Sequence, residues 1–151
     1  LLFLHADTAL ERDWEHDATA FMDAVDTGKR RRAAAAFRFR LDDDSIGASL
    51  VEFGVGLRCR LFRLPYGDQG LLIPAALYRE LDGFKPIPLL EDVDLIRRLG
   101  RRRVRLLQPA AITSARRYRQ DGYLVRVLRN WTCLLLYRLG VPAERIMKIY
   151  K

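Results

Sequence analysis

The sequence predicts an α/β layered domain, and three observations predict it. The opening residues Leu1, Leu2, Phe3 and Leu4 are apolar without alternation, which suits an inner strand covered on both faces. Residues 33 to 41 alternate with a period of two, as a strand with one wet face does. Between and beyond them lie segments whose apolar residues recur at helical spacing, and strands alternating with helices build such a domain. At 151 residues with 50% hydrophobic content, the chain holds one domain with a real core.

The elements follow in order. Leu1 to Leu4 deliver His5, Ala6, Asp7 and Thr8 at the C-terminal end of their strand. From 10 to 25, Leu10, Trp14, Ala18, Phe21 and Val25 keep helical spacing, and Asp26, Thr27 and Gly28 close this covering helix. The strand at 32 to 41 sets Ala33, Ala35, Phe37, Phe39 and Leu41 against Ala34, Ala36, Arg38 and Arg40, and Asp42, Asp43 and Asp44 end it. Ile46, Leu50, Phe53, Leu57 and Leu61 then form one stripe of a helix from about 45 to 63. Its glycines, Gly47, Gly54 and Gly56, each weaken it by about 1 kcal/mol and imply close packing against another element. A loop at 65 to 70, a short strand at 71 to 73 and a helix at 74 to 81 with proline at its first position come next. An extended stretch at 85 to 90 leads into a helix from Glu91 that starts with acids and ends with bases, as the macrodipole prefers. Strands at about 103 to 107 and 110 to 115, a long amphipathic helix at 121 to 139 and a short one from 142 complete the chain, without an internal repeat or linker.

The net charge of +8 is carried almost wholly by arginine, since Lys29, Lys85, Lys148 and Lys151 are the lysines among 27 basic residues. Arginine favours bidentate contact with phosphate or carboxylate, so a nucleotide, a nucleic acid or an anionic membrane surface is a fitting partner. Cys59 and Cys133 form no CxxC and have no histidine at ligand spacing, which points to a reducing, cytoplasmic setting. The chain has no apolar run of the length, about 18 residues, that a spanning helix needs, and residues 1 to 4 are too few for a signal-peptide core.

Three acid-bearing sites stand at element ends, where α/β folds place ligands. His5-Ala6-Asp7 puts two ligand groups on one side of an extended segment, able to hold Mg²⁺ or Mn²⁺ while a substrate diphosphate completes the shell. A solvated strand end with Asp7 capping the next helix fits the same spacing. In Gly67-Asp68-Gln69-Gly70 the glycines let backbone approach a ligand while Asp68 and Gln69 offer hydrogen bonds to hydroxyls, although an ordinary β-turn has the same composition. Glu91-Asp92 follows the apolar Pro88, Leu89 and Leu90, an arrangement that could hold a carboxylate against a partly dry pocket as a general base. Acids in a first helical turn are equally what the dipole favours, and Asp94 with Arg98 is an ordinary i,i+4 pair. Arginines crowd into 28 to 32, 97 to 105 and 114 to 120; the first two runs read as solvated faces. Arg116, Arg117 and Tyr118 directly follow a strand, where guanidinium donors could meet a diphosphate.

Taken together and in this order, these residues resemble the family 2 glycosyltransferases, inverting enzymes of the Rossmann-like GT-A fold that use nucleotide-diphosphate sugars. "LLFLHADT", "AFRFRLDD", "LPYGDQGLLI", "LDGFKPIPLLEDVDLIRRL", "ITSARRY" and "NWTCLLLYRLGVPAERI" are similar to the arsenosugar-biosynthesis-type branch, over essentially the whole chain. The resemblance implies that Asp7 matches the last acid of the family's DxD metal motif, with His5 where the first acid usually stands. It implies Asp92 as catalytic base with Glu91 beside it, and Gly67, Asp68, Gln69 and Gly70 as a loop lining the donor sugar and acceptor region. Arg117 and Tyr118 match the last two positions of the QxxRW motif of processive relatives; the glutamine is absent, so processivity is not implied. The implied cofactor is a divalent metal, Mg or Mn, and the implied partners are a nucleotide-diphosphate sugar donor and an acceptor of unassigned class.

Members of that family begin with a strand of the "VSVIIPTLNE" kind and further elements that bind nucleobase and ribose. Nothing like that precedes Leu1, so the expectation is an incomplete GT-A mixed sheet with flanking helices and C-terminal amphipathic helices. By that reading roughly 70 to 80 residues of a nucleotide-binding part are missing, comparable to two βαβ steps of about 30 residues each. Residues 1 to 118 would be the catalytic core remnant and 119 to 151 the C-terminal helices. Two other readings stand beside it. A basic nucleic-acid-binding module would explain the charge, but the arginines are scattered over several elements and no known binding motif is present, so no nucleic-acid partner is expected. A peripheral contact with the inner face of the membrane would use the stripe Leu124, Val127, Leu128, Trp131, Leu135 and Leu139 beside Arg126, Arg129 and Arg138, although a core-covering helix is the commoner cause of such a stripe.

Overall fold

A computed structural model describes residues 1 to 29 and 32 to 150, so the arginine run at 28 to 32 lies partly outside the described residues. The chain folds as α/β, with strands β1 (Leu2–Phe3), β2 (Thr8–Leu10), β3 (Ala34–Leu41), β4 (Leu71–Leu72) and β5 (Val104–Thr113). Its helices are α1 (Trp14–Asp26), α2 (Ile46–Phe62), α3 (Ala75–Glu80), α4 (Glu91–Leu99), α5 (Arg116–Asp121), α6 (Tyr123–Arg138) and α7 (Ala143–Tyr150). The sheet is mixed and ordered β1-β4-β3-β5-β2, with β3 parallel to β5 and the other pairs antiparallel.

The opening strand departs from the expectation of an inner strand. β1 is a two-residue edge strand paired with β4 alone, and Leu1, Leu2 and Leu4 are exposed. Four apolar residues cannot distinguish burial by two helices from burial by one neighbour at an edge. β2 was hidden in the same way. Its three residues pair with the end of β5, Thr8 opposite Thr113, whereas spacing alone assigned Leu10 to the following helix. The helix itself begins at Trp14, whose ring lies edge-on to Phe37 at 6.0 Å.

β1 and β2 lie at opposite edges of the sheet, joined by residues 4 to 7 alone. Five extended steps reach about 18 Å, and four flat strand spacings need about 19 Å. The sheet must therefore curl for this crossing to close, and His5 and Asp7 are carried over its end.

β3 is buried on both faces from Ala34 to Phe37 and alternates only at Arg38 and Arg40, because alanine fits either face. On one side Ala34 packs with Ile73, Leu77, Leu95, Ile96 and Leu99; on the other Ala35 packs with Ala18, Phe21 and Leu72. β5 runs as one strand of ten residues through Pro109, where sequence suggested two strands. The register with β3 shifts between Ala36 and Arg38, and this bulge absorbs the missing proline N–H while Arg38 Nε bonds the Gln108 carbonyl. The expected helix at 121 to 139 is likewise divided by Gly122, at φ 84°, into the end of α5 and α6.

The largest departure concerns α2 and α6. The α2 stripe Ile46, Leu50, Phe53, Leu57 and Leu61 is exposed, and Ala48, Val51 and Cys59 on the other face meet the core. On α6, Leu124, Leu128, Trp131, Leu135 and Leu139 are exposed, and Arg126 and Cys133 are the buried residues. Of the α2 glycines, only Gly47 sits at a close crossing, where an added Cβ would lie 2.8 Å from the Tyr123 ring; Gly54 and Gly56 have open space. Among the described residues no helix is long and apolar enough to cross a membrane.

Candidate functional site

A cavity of about 520 Å³ opens at the end of the sheet, walled by α2 and α6 and floored by four separate stretches of sequence. His5 and Asp7 come from the β1–β2 crossing, Gly67 and Asp68 from a single 3-10 turn, Glu91 and Asp92 from the start of α4, and Arg117 and Tyr118 from α5. The fold thus brings eight of the ten expected site residues to one space. A second cavity of about 210 Å³ lies toward β1, and His5, Tyr66, Gly67, Glu91 and Asp92 line both. Asp92 therefore stands in the partition between two cavities.

The partition is built from a tight contact. Asp92 Oδ2 accepts the Gly67 backbone N–H at 2.5 Å and Oδ1 accepts the Val93 N–H at 2.8 Å. A Cβ on Gly67 would lie 2.8 Å from His5 Nε2 and 3.1 Å from Asp92 Oδ2, so only glycine lets the imidazole, the turn and the carboxylate meet. Leu90, just before Asp92's helix, has φ 66° and ψ 25°, a left-handed conformation that leucine rarely adopts. Such strain is found where surrounding structure over-determines a site, and here it aims the first turn of α4 at the 3-10 turn.

Asp68 is the unusual acid. Its Oδ1 is shut off from solvent without a hydrogen-bond partner among the described residues. Burial raises its pKa above the ordinary carboxylate range; Asp92 adds to the rise, and Arg58 and His5 oppose it. Burial also pushes the Tyr118 hydroxyl up to about 12, with Asp68 contributing. The raised Asp68 has a testable consequence. Between the unfolded value near about 3.9 and the higher folded value, the native state binds more protons than the unfolded one, so stability falls as pH rises. Asp68→Asn is expected to raise the melting temperature at pH 7, with the gap closing as pH drops through the carboxylate range. Calorimetric melts of both proteins across that range check this; a constant gap, or none, contradicts it.

Gln69 and Gly70 do not line the larger cavity. Gln69 is 1% exposed; its Nε2 donates to the Phe37 carbonyl at 2.9 Å, and its Oε1 accepts from Cys59 Sγ at 3.2 Å and Arg58 Nη2 at 3.3 Å. It anchors the turn to β3, in place of the hydroxyl contact expected from sequence. Gly70 faces the smaller cavity at φ 65°, where a Cβ would crowd Leu4 at 3.2 Å and Phe37 at 3.3 Å.

His5 Nδ1 and Asp7 Oδ1 are 3.8 Å apart and both side chains are about half exposed. No cluster of three His, Cys, Asp or Glu groups able to hold a metal occurs among the described residues. Two groups at this separation would contribute at most two ligands to Mg²⁺ or Mn²⁺, leaving phosphate and water oxygens to complete the shell. Asp7 is not the N-cap of α1; that position is Asp13.

Two arginines stand in the cavity wall: Arg58, which the sequence did not single out, and Arg126, which was expected beside the exposed apolar stripe at a membrane and is instead buried. Arg58 stacks 4.1 Å from the Tyr66 ring centre and donates to the Leu64 carbonyl at 3.1 Å. Arg126 is 6% exposed, pairs with Asp121 Oδ2 at 3.5 Å and donates to Tyr150 Oη at 2.5 Å. Arg126 shares a face with Asn130 and Cys133 at i+4 and i+7; this polar stripe was the signal, but the apolar stripe beside it drew the assignment of the buried face. Arg117 is exposed, with its Nη1 3.5 Å from Tyr150 Oη. The chain matches no protein-family model, no curated protein and no solved structure.

Proposed function

We propose that this chain carries the transfer site of an inverting glycosyltransferase that moves a sugar from a nucleotide-diphosphate donor to an acceptor hydroxyl. The observation that carries the reading is Asp92, a carboxylate in the wall between two cavities and fixed by the Gly67 N–H. A group-transfer enzyme with two substrates needs a base at the meeting point of two binding spaces. The acceptor hydroxyl oxygen attacks the anomeric carbon, the bond from that carbon to the diphosphate oxygen breaks with its electron pair leaving on the phosphate, and Asp92 takes the hydroxyl proton. Attack opposite the leaving group inverts the anomeric centre.

The remaining residues fit supporting roles. Arg117, exposed at the cavity, matches the growing charge on the departing diphosphate. Asp68 lines the larger cavity beside Gly67 and suits a hydrogen bond to a sugar hydroxyl there. His5 and Asp7 would hold Mg²⁺ or Mn²⁺, which supplies charge neutralisation for the diphosphate. Glu91 stands beside the base at the helix start, where the dipole favours acids.

A panel of nucleotide-diphosphate sugars titrated calorimetrically into the protein tests this. The expected result is saturable binding of one donor that needs Mg²⁺ or Mn²⁺ and weakens at least about tenfold in Asp7→Asn, the loss of roughly one charge-assisted contact. Binding of no donor, or binding indifferent to metal and to Asp7, contradicts the reading.

A further inference from the structure

The exposed stripes of α2 and α6 are too apolar to be solvated faces of the usual kind. Each reads as an amphipathic helix with its apolar side turned outward: Ile46, Phe53 and Leu61 on α2 are 81%, 70% and 63% exposed, and Leu124 and Leu139 on α6 are each 71% exposed. The two helices are neighbours, because Gly47 of α2 abuts Tyr123 of α6. Leu50, Leu124 and Trp131 are exposed and also line the larger cavity, so both stripes run into its mouth. Contiguous exposed apolar surface of this kind marks a docking face.

Charge identifies the occupant. From Ser45 to Gly67 the only acid is Glu52, and its Oε1 is turned inward to accept the Leu41 N–H at 2.8 Å. From Gly122 to Ala143 there is no acid at all. Arg60 and Arg63 on the α2 side and Arg138 on the α6 side are exposed, and no carboxylate among the described residues pairs with them. A second copy of this chain would bring identical basic rims together with no acids to answer them, since an isologous interface meets itself. An apolar face rimmed by unpaired arginine, with a tryptophan at the cavity mouth, matches the boundary between acyl chains and anionic headgroups.

We propose that α2 and α6 together seat the protein on an anionic lipid surface, with the larger cavity opening toward the bilayer. This stands on exposure and charge alone and does not depend on the transfer chemistry. It also extends the membrane contact expected at the C-terminal helices to a two-helix face whose other half is α2.

The test is co-sedimentation with vesicles of phosphatidylcholine and phosphatidylglycerol in roughly equal parts, beside vesicles of phosphatidylcholine alone. The protein is expected to bind the anionic vesicles, to release in high salt and to bind the neutral ones far less. Arg60→Gln with Arg63→Gln is expected to weaken binding on the order of thirtyfold, as two headgroup contacts of about 1 kcal/mol each predict. Phe53→Glu with Leu57→Glu alters exposed positions outside the cavity and is expected to abolish binding while melting at or above the parent temperature. Binding by that variant at parental strength overturns the proposal. So does indifference to anionic lipid, dimerisation that Phe53→Glu disrupts without vesicle binding, or capture of an acidic amphipathic peptide with vesicles ignored.

Discussion

Gly67→Ala is expected to lower kcat/KM for sugar transfer by about a hundredfold while leaving the fold intact, because a misplacement near 1 Å at a reacting geometry costs about that much. The new methyl group would sit 2.8 Å from His5 Nε2 and 3.1 Å from Asp92 Oδ2. The imidazole is half exposed and can swing away, which removes it from its place beside Asp7. The carboxylate has less freedom, since its Oδ2 is bonded to the backbone of the very residue that has grown. Gly67 does not occupy a left-handed conformation, so alanine adds no backbone strain, and the melting temperature should move little. Steady-state kinetics with a melting curve check this pair of outcomes; unchanged kcat/KM would show that the contact plays no part in transfer.

Asp92→Asn is expected to have the larger effect. The amide oxygen can still accept the Gly67 N–H, while the Val93 N–H loses its side-chain acceptor; the side chain is nearly isosteric, so the first turn of α4 should hold. Loss of the carboxylate's charge-assisted bond and of its place near the helix N-terminus should cost about 1 kcal/mol of stability. Proton abstraction is lost, and a positioned general base contributes about 10² to 10⁴ in rate. The transition state therefore loses about 2.7 to 5.5 kcal/mol. Glu91, one residue away, points from a different position on the helix and does not hold the Gly67 N–H, so it is not expected to substitute.

How much of this was legible in the sequence depends on what each residue's signal rests on. α1, α3 and α4 follow from local periodicity and end signals, and their described bounds lie within a few residues of expectation. The clustering of His5, Asp7, Asp68 and Asp92 was legible only through the ordered set of motifs, since the acids are far apart in the chain and meet through the curl of the sheet. β2 was not legible, because three residues carry no period and long-range pairing to β5 decides their state. The apolar stripes of α2 and α6 were legible as stripes but not as outward-facing ones. Periodicity reports that a helix has two unlike faces, and it does not say which of them meets the core. The commitment of Gln69 to Phe37, Cys59 and Arg58 was hidden for a related reason: a glutamine between glycines looks the same whether its amide faces a ligand or a strand.

The most direct test of the transfer role of Asp92 compares the parent protein and Asp92→Asn, measuring donor affinity by calorimetry and transfer by product formation on the same samples. Donor affinities are expected within about twofold of each other, because only a proton transfer in the transition state is lost, with transfer down by about a hundredfold or more. Transfer by Asp92→Asn at the parental rate, with both proteins folded and binding donor, would contradict that role.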